Sequence, residues 1–252
     1  ADGERFLQLG LPPSALQITG SIKFDLELGA ELRSAAAALR AELAVDQRPV
    51  LVAASTHPGE DEQVLTAFAR VREQHDNCLL VLVPRHPERF AAVHQQCLDA
   101  GWSVCRRSSG KAPTAADAIL LGDTMGELVL LLSAATVAVI GGSLVEHGGH
   151  NVLEASAWGV PVVTGPHMFN FAEISDLLLA AGGMIRLQDP AQLAQCLLQL
   201  LVDPERRQRM SLAGQQVVAD NRGAKQRLLD IVAAQLSQAA PCAAQTRARS
   251  VQ

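Results

Sequence analysis

The sequence predicts an α/β protein: a Rossmann-like parallel sheet with helices on both faces. Short, continuous apolar runs recur along the chain, as strands buried on both faces require. Segments of helical periodicity separate them in regular alternation. The runs also end in loops rich in glycine, proline and histidine that open the next helix, where an open parallel sheet presents its ligand crevice.

In order, residues 1–30 hold one weak strand, at 16–19, and no helix longer than a turn. Residues 1–20 are therefore expected to be a linker remnant from a preceding N-terminal domain. The sheet-bearing domain is expected over 21–222, a C-terminal helix over 223–238 and a flexible tail over 239–252. An alanine-rich helical patch at 35–38 precedes the first strand, 49–55 (PVLVAAS). A helix follows over 58–73, with Pro58 as a first helical residue. The second strand is 78–83 (CLLVLV), and its helix is 87–100. Short strands at 103–106 and 118–121 lead to a helix at 126–134 and a strand at 136–140. The alternation continues through helix 152–158, strand 161–164, helix 171–181 and strand 184–187, and helices at 190–202, 204–221 and 224–238 close the chain.

With 252 residues, 48% of them hydrophobic and 19% charged, the chain can build a large core and is not disordered. A net charge of −5 supplies no footprint for nucleic acid, so an anionic ligand must be held by local positive features. The five cysteines (Cys78, Cys97, Cys105, Cys196, Cys242) are widely spaced and form no CxxC pair, which fits reduced thiols better than disulfides or structural zinc. No signal-peptide pattern is visible. The longest apolar run, 128–140, is too short to span a bilayer and is interrupted by Ser133 and Thr136.

The richest segment is Gly141-Gly142-Ser143-Leu144-Val145-Glu146-His147-Gly148-Gly149-His150-Asn151. Glycine lets a backbone approach a ligand closely, and a helix starting near Asn151 would add unpaired N–H groups and a positive dipole end. Loop and helix together should hold a phosphate, as the rim of a nucleotide site. Other strand exits carry Ser55-Thr56-His57-Pro58-Gly59-Glu60, Pro84-Arg85-His86-Pro87-Glu88-Arg89, Gly122-Asp123-Thr124-Met125-Gly126-Glu127 and Gly165-Pro166-His167-Met168-Phe169-Asn170. Arg85, directly after a buried strand, is placed to meet a ligand. Thr124 with Glu127, Asn151 with Glu154 and Asn170 with Glu173 have capping-box spacing, and Glu60 stands in the same relation to His57. Structural capping is the better reading of Glu127 and Glu173, whereas Glu154 fits capping and ribose binding about equally. No metal site is expected. His57, His86, His147, His150 and His167 can share a cleft, but the glycines between His147 and His150 favour a loop, and no HxxxH or HExxH spacing occurs. No G-x-S-x-G elbow exists for a serine nucleophile.

Taken with Lys23-Phe24-Asp25 and Ala54-Ser55-Thr56-His57, these exit motifs resemble, in matching order over about residues 14–235, the 3-deoxy-D-manno-octulosonic acid (Kdo) transferases. The resemblance covers the C-terminal half of such an enzyme. It implies one half of a GT-B fold that binds the donor CMP-Kdo, the other half receiving a lipid A precursor in lipopolysaccharide synthesis at the cytoplasmic face of the bacterial inner membrane. It further implies inverting transfer without metal or other cofactor, and a general-base glutamate in the N-terminal domain, so that no catalytic residue is expected in this chain. On this reading the amides of Gly142, Ser143, Gly148, Gly149, His150 and Asn151 hold the CMP phosphate, and Arg85 pairs with that phosphate or the Kdo carboxylate. Glu154 takes the ribose hydroxyls. His57, His86 and the loop Gly122, Asp123, Thr124, Met125, Gly126, Glu127 are the candidate base and sugar contacts. Three positions depart from the family pattern: Val152 stands where proline is usual, Pro58 where glutamate is frequent, and His147 where arginine is frequent. Another GT-B nucleotide-sugar enzyme, such as a UDP-sugar transferase or epimerase, or a docking domain whose glycine loops are only turns, would share parts of this pattern.

Overall fold

The structure, a computed structural model, describes residues 2–246, which fall into two units. The larger runs from Leu26 to Val218, and the smaller combines the described residues before Leu26 with those after Val218.

In chain order the helices are α1 (Asp2–Gln8), α2 (Ala30–Glu42), α3 (Glu60–Arg72), α4 (Phe90–Asp99), α5 (Leu128–Leu132), α6 (Leu153–Ala157), α7 (Ala172–Ala181), α8 (Leu193–Val202), α9 (Pro204–Asp220) and α10 (Ala224–Thr246). The strands are β1 (Val50–Thr56), β2 (Leu79–Pro84), β3 (Val104–Arg106), β4 (Ile119–Leu121), β5 (Val137–Ile140), β6 (Val162–Thr164) and β7 (Met184–Arg186). All seven form one parallel sheet in the order β3-β4-β2-β1-β5-β6-β7. Every residue of β1, β2, β4, β5 and β6 is buried, which is why their sequences read as unbroken apolar runs instead of alternating ones. From β1 the chain moves out to β2 and the edge strand β3, steps back to place β4 between them, and restarts at β5 to run outward on the other side. The switch point therefore lies between β1 and β5, and the loops leaving those two strands flank it.

Each expected strand from 49 onward forms within a residue or two of its predicted span. The helices around the site are shorter than expected: α5 and α6 hold five residues each. The start of α6 is delayed because the Asn151 Oδ1 accepts the Leu153 N–H at 3.1 Å, a local turn that competes with helix. Its end is set by Gly159, at φ +71°.

The smaller unit corrects two expectations. A helix, α1, occupies the start, and no strand forms at 16–19. Gly10, at φ +93°, ends α1 with the Gly10 and Leu11 N–H groups bonded to the carbonyls of Leu7 and Phe6, a Schellman closure. At the other end α10 runs to Thr246, so 239–246 is helical where a flexible tail was expected, and 247–252 lies outside the described residues. The Asp25 carboxylate accepts the N–H groups of Gly223 (2.5 Å) and Lys225 (2.6 Å) at the start of α10. Those two bonds hold its pKa below the usual carboxylate value. Among the described residues, no helix is long and apolar enough to cross a membrane.

Candidate functional site: a crevice at the switch point

The site starts from a break in β1. Register against β2 shifts between Ala54 and Thr56, and Ser55 adopts φ +60°, so a bulge turns the chain out of the sheet. Gly141, at the end of β5, lies against this bulge: a Cβ there would collide with the Ser55 carbonyl and the Thr56 Cα, so only glycine fits. Gly165, after β6, abuts the Ser143 carbonyl in the same way. Three successive strand exits are thus in backbone contact.

Glu60 closes the arrangement. Its side chain has no exposed surface, and its Oε2 accepts the N–H groups of His57 (2.8 Å) and Gly142 (2.6 Å). Its Oε1 accepts those of Ser143 (3.0 Å) and Leu144 (2.9 Å). A buried carboxylate is costly unless its lone pairs are satisfied, and four backbone donors satisfy them here. The expected tie between Glu60 and His57 is present, but it extends across the switch point. This corrects the assignment of the Gly142 and Ser143 amides to a phosphate, since the protein's own carboxylate occupies them. The Gly149 N–H is also used, bonded to the Gly142 carbonyl at 2.7 Å. The amides of Gly148, His150 and Asn151 make no hydrogen bond among the described residues.

Beside this loop lies a cavity of about 270 Å³, bounded by Ser55, Arg85, Thr124, Met125, Gly126, His150, Asn151, Glu154 and Phe171 over an apolar floor that includes Val83, Leu132 and Ile140. Larger grooves run along α3, lined by Glu62, Arg70 and, in turn, Pro190 or Trp102, but they lie on the helical face and not at the strand ends. Arg85 is exposed, and its guanidinium makes no hydrogen bond or ion pair among the described residues. Glu154 is half-buried, and burial pushes its carboxyl up while the Asn151 amide, at 3.1 Å, pulls the other way. Asn151 therefore bonds both the start of α6 and the Glu154 carboxylate, in place of a reciprocal capping box.

The expected loop 122–127 divides. Thr124, Met125 and Gly126 border the cavity, but Gly122, Asp123 and Glu127 do not. Gly122 packs against Val83. Asp123 accepts the Ser108 N–H (2.8 Å), the Ser108 hydroxyl (2.6 Å) and the Arg106 Nε (2.7 Å). Burial raises its pKa, and the bonds from Ser108 and Arg106 together outweigh burial and lower it. Glu127 accepts from Arg107 (3.0 and 3.3 Å) and from the Thr124 hydroxyl, and its pKa is lowered chiefly by Arg107. Asp123 and Glu127 are thereby corrected from ligand contacts to anchors of the loop. Arg106 and Arg107 were missed, although Arg106 ends β3 and Arg107 follows it as Arg85 follows β2. The Asn170–Glu173 capping box does not form. Asn170 turns instead to the glycine loop, donating its Nδ2 to the His147 carbonyl (3.1 Å) and its N–H to the Gly148 carbonyl (3.0 Å).

The histidines are closer together than their spacing suggested. His57 Nε2 lies 2.7 Å from His150 Nε2, and the His147 ring centroid is 3.7 Å from that of His57. His86 stands edge-on to His57 at 5.4 Å, whereas His167 is not in the cluster. Burial, then the neighbouring histidines and Arg89, pushes His57 down to about 4. Burial, then Arg85 and the histidines, does the same to His150, also to about 4. Both rings are therefore neutral at pH 7. One Nε2 of the 2.7 Å pair carries a proton and the other accepts it.

Known proteins share this architecture and much of this sequence. Residues 60–217 match the model of the family "Glycosyl transferases group 1". The 3-deoxy-D-manno-octulosonic acid transferase of Haemophilus influenzae is 43% identical over 231 residues, 91% of this chain and 54% of that protein. The Bordetella pertussis transferase of the same name is 41% identical over 234 residues, 91% and 53% respectively. The chain thus spans about half the length of these relatives. Among solved structures, the C-terminal CMP-Kdo binding domain of WaaA from Acinetobacter baumannii aligns with a TM-score of 0.72 and 34% identity, over 75% of this chain and 99% of that one. A putative UDP-N-acetylglucosamine 2-epimerase from Listeria monocytogenes aligns at TM-score 0.59 and 16% identity, which speaks to the fold alone. With its parallel sheet, its crevice at the switch point and these relatives, the chain belongs to the group 1 glycosyl transferases, and its resemblance to the Kdo transferases holds over most of its length.

Proposed function

We propose that this chain is the donor half of a Kdo transferase: it binds CMP-Kdo, and the complete enzyme moves Kdo onto a lipid A precursor at the cytoplasmic face of the inner membrane. The observation that carries this reading is the 34% identity to a CMP-Kdo binding domain over nearly the whole of that domain. The crevice supports it chemically. Arg85 offers a planar donor pair to the phosphate or the Kdo carboxylate. With the Gly142 and Ser143 amides engaged by Glu60, the amides of His150 and Asn151, both at the cavity edge, take the phosphate role. Glu154, oriented by Asn151, meets the ribose hydroxyls. Thr124, Met125 and Gly126 border the same cavity and face the base. Holding the departing CMP phosphate is this half's share of transition-state stabilisation. Transfer is inverting, needs no metal or other cofactor, and takes its general base from an N-terminal domain. Without that domain the chain binds donor but does not transfer it.

Replacing Arg85 with Ala tests the assignment by calorimetry. A lost charge-assisted contact should weaken CMP binding by roughly 10- to 100-fold. Unchanged affinity would remove Arg85 from the site.

A further inference from the structure

We propose that His57, His147 and His150 form a binding site for a borderline divalent transition ion of the Zn²⁺ class, separate from the chemistry of transfer. One nitrogen from each ring lies within 4.8 Å of the other two. In tetrahedral coordination at the usual Zn–N distance, ligand nitrogens stand about 3.3 Å apart. The 2.7 Å His57–His150 contact needs to open by about 0.6 Å, and the His147 nitrogen, within 4.8 Å of the other two, closes the rest of the triangle by a side-chain rotation of about 1.5 Å at most, which its exposed position allows.

The rings come from two different strand exits, His57 after β1 and the other two after β5, and both loops are held before any ion arrives. The Glu60 carboxylate fixes the His57 amide. His147 is held through its N–H to the Val145 carbonyl (2.7 Å) and through its own carbonyl to Asn170. No carboxylate is hydrogen-bonded to any of the three rings among the described residues. The rings therefore have no anionic partner to stabilise imidazolium. Three imidazoles suit zinc, cobalt, nickel or copper, and magnesium poorly. Three protein ligands also leave a coordination position open. Bound there, an ion ties together the two loops that flank the switch point. The proposal does not depend on which nucleotide the crevice takes.

The test is a calorimetric titration of the tag-free 252-residue chain with Zn²⁺, with Mg²⁺ as control and Co²⁺ followed by its visible absorption. The parent should bind one Zn²⁺, show the intense bands of low-coordinate Co²⁺ and ignore Mg²⁺. His147→Gln and His150→Gln should each weaken Zn²⁺ by at least the roughly 100-fold that losing an outer partner of a ligand costs. Zn²⁺ should raise the melting temperature of the parent and of neither variant. No Zn²⁺ binding by the parent overturns the proposal, and so does binding that survives in either variant. His147 is exposed, so its substitution tests the site even if His150→Gln does not fold.

Discussion

Glu60 is a carboxylate without exposed surface, made tolerable by four backbone N–H groups drawn from the loops after β1 and β5. Glu60→Gln keeps the shape but turns one acceptor into a donor that faces N–H groups. It should destabilise the protein by roughly 2–4 kcal/mol in urea unfolding. Asp123 gives the acid dependence. Its folded pKa lies below the ordinary 3.8 because the bonds from Ser108 and Arg106 outweigh burial. The folded form thus holds that proton less tightly than the unfolded chain does. Its stabilisation is present above about pH 4 and is lost as pH falls through the folded value. Asp123→Asn should lower the melting temperature at pH 7 and flatten its fall below pH 4; an unchanged acid limb would remove Asp123 from that role. Legibility also divides by residue. The place of Arg85 at the cavity was readable because the residue directly after a buried strand of a parallel sheet emerges at the strand ends, where the crevice lies. The anchoring of Asp123 and Glu127 was not, because their partners Arg106, Arg107 and Ser108 lie 15 to 20 residues away in sequence.

The strands were legible as elements because burial on both faces leaves unbroken apolar runs, and it was their flanking glycines and prolines and the alternation of elements that separated them from the equally apolar five-residue helix α5. Helix lengths near the crevice were less legible. Asn151 accepts the Leu153 N–H in a local turn before α6 and bonds the Glu154 carboxylate as well, and no periodicity reports such uses of a side chain. The smaller unit was least legible: α1 is seven residues long with a glycine inside it, and its clearest signal was the Gly10 that stops it. The glycine loop itself was legible as a close-approach segment, but what approaches is the chain's own backbone and the Glu60 carboxylate. Gly141→Ala sets that contact against a substitution. Its Cβ meets the Ser55 carbonyl and the Thr56 Cα, neither of which can yield without moving β1. It should cost roughly 1–3 kcal/mol and weaken nucleotide binding together with stability. Full stability in urea would show that the bulge moves freely.

At the scale of the molecule, seven parallel strands bring the exits of β1, β2, β4, β5 and β6 to one edge, and the order reversal between β1 and β5 opens the crevice there. With a net charge of −5, the proposed donor site has to work locally, through Arg85 and a few unbonded amides instead of the overall field. The nucleotide is therefore the reporter of the whole arrangement, and calorimetric titration with CMP, with UMP and GMP as controls, tests it most directly. The account predicts saturable binding of CMP with UMP and GMP at least tenfold weaker. UMP bound as tightly as CMP, or no binding of CMP by a chain that is folded, would contradict it.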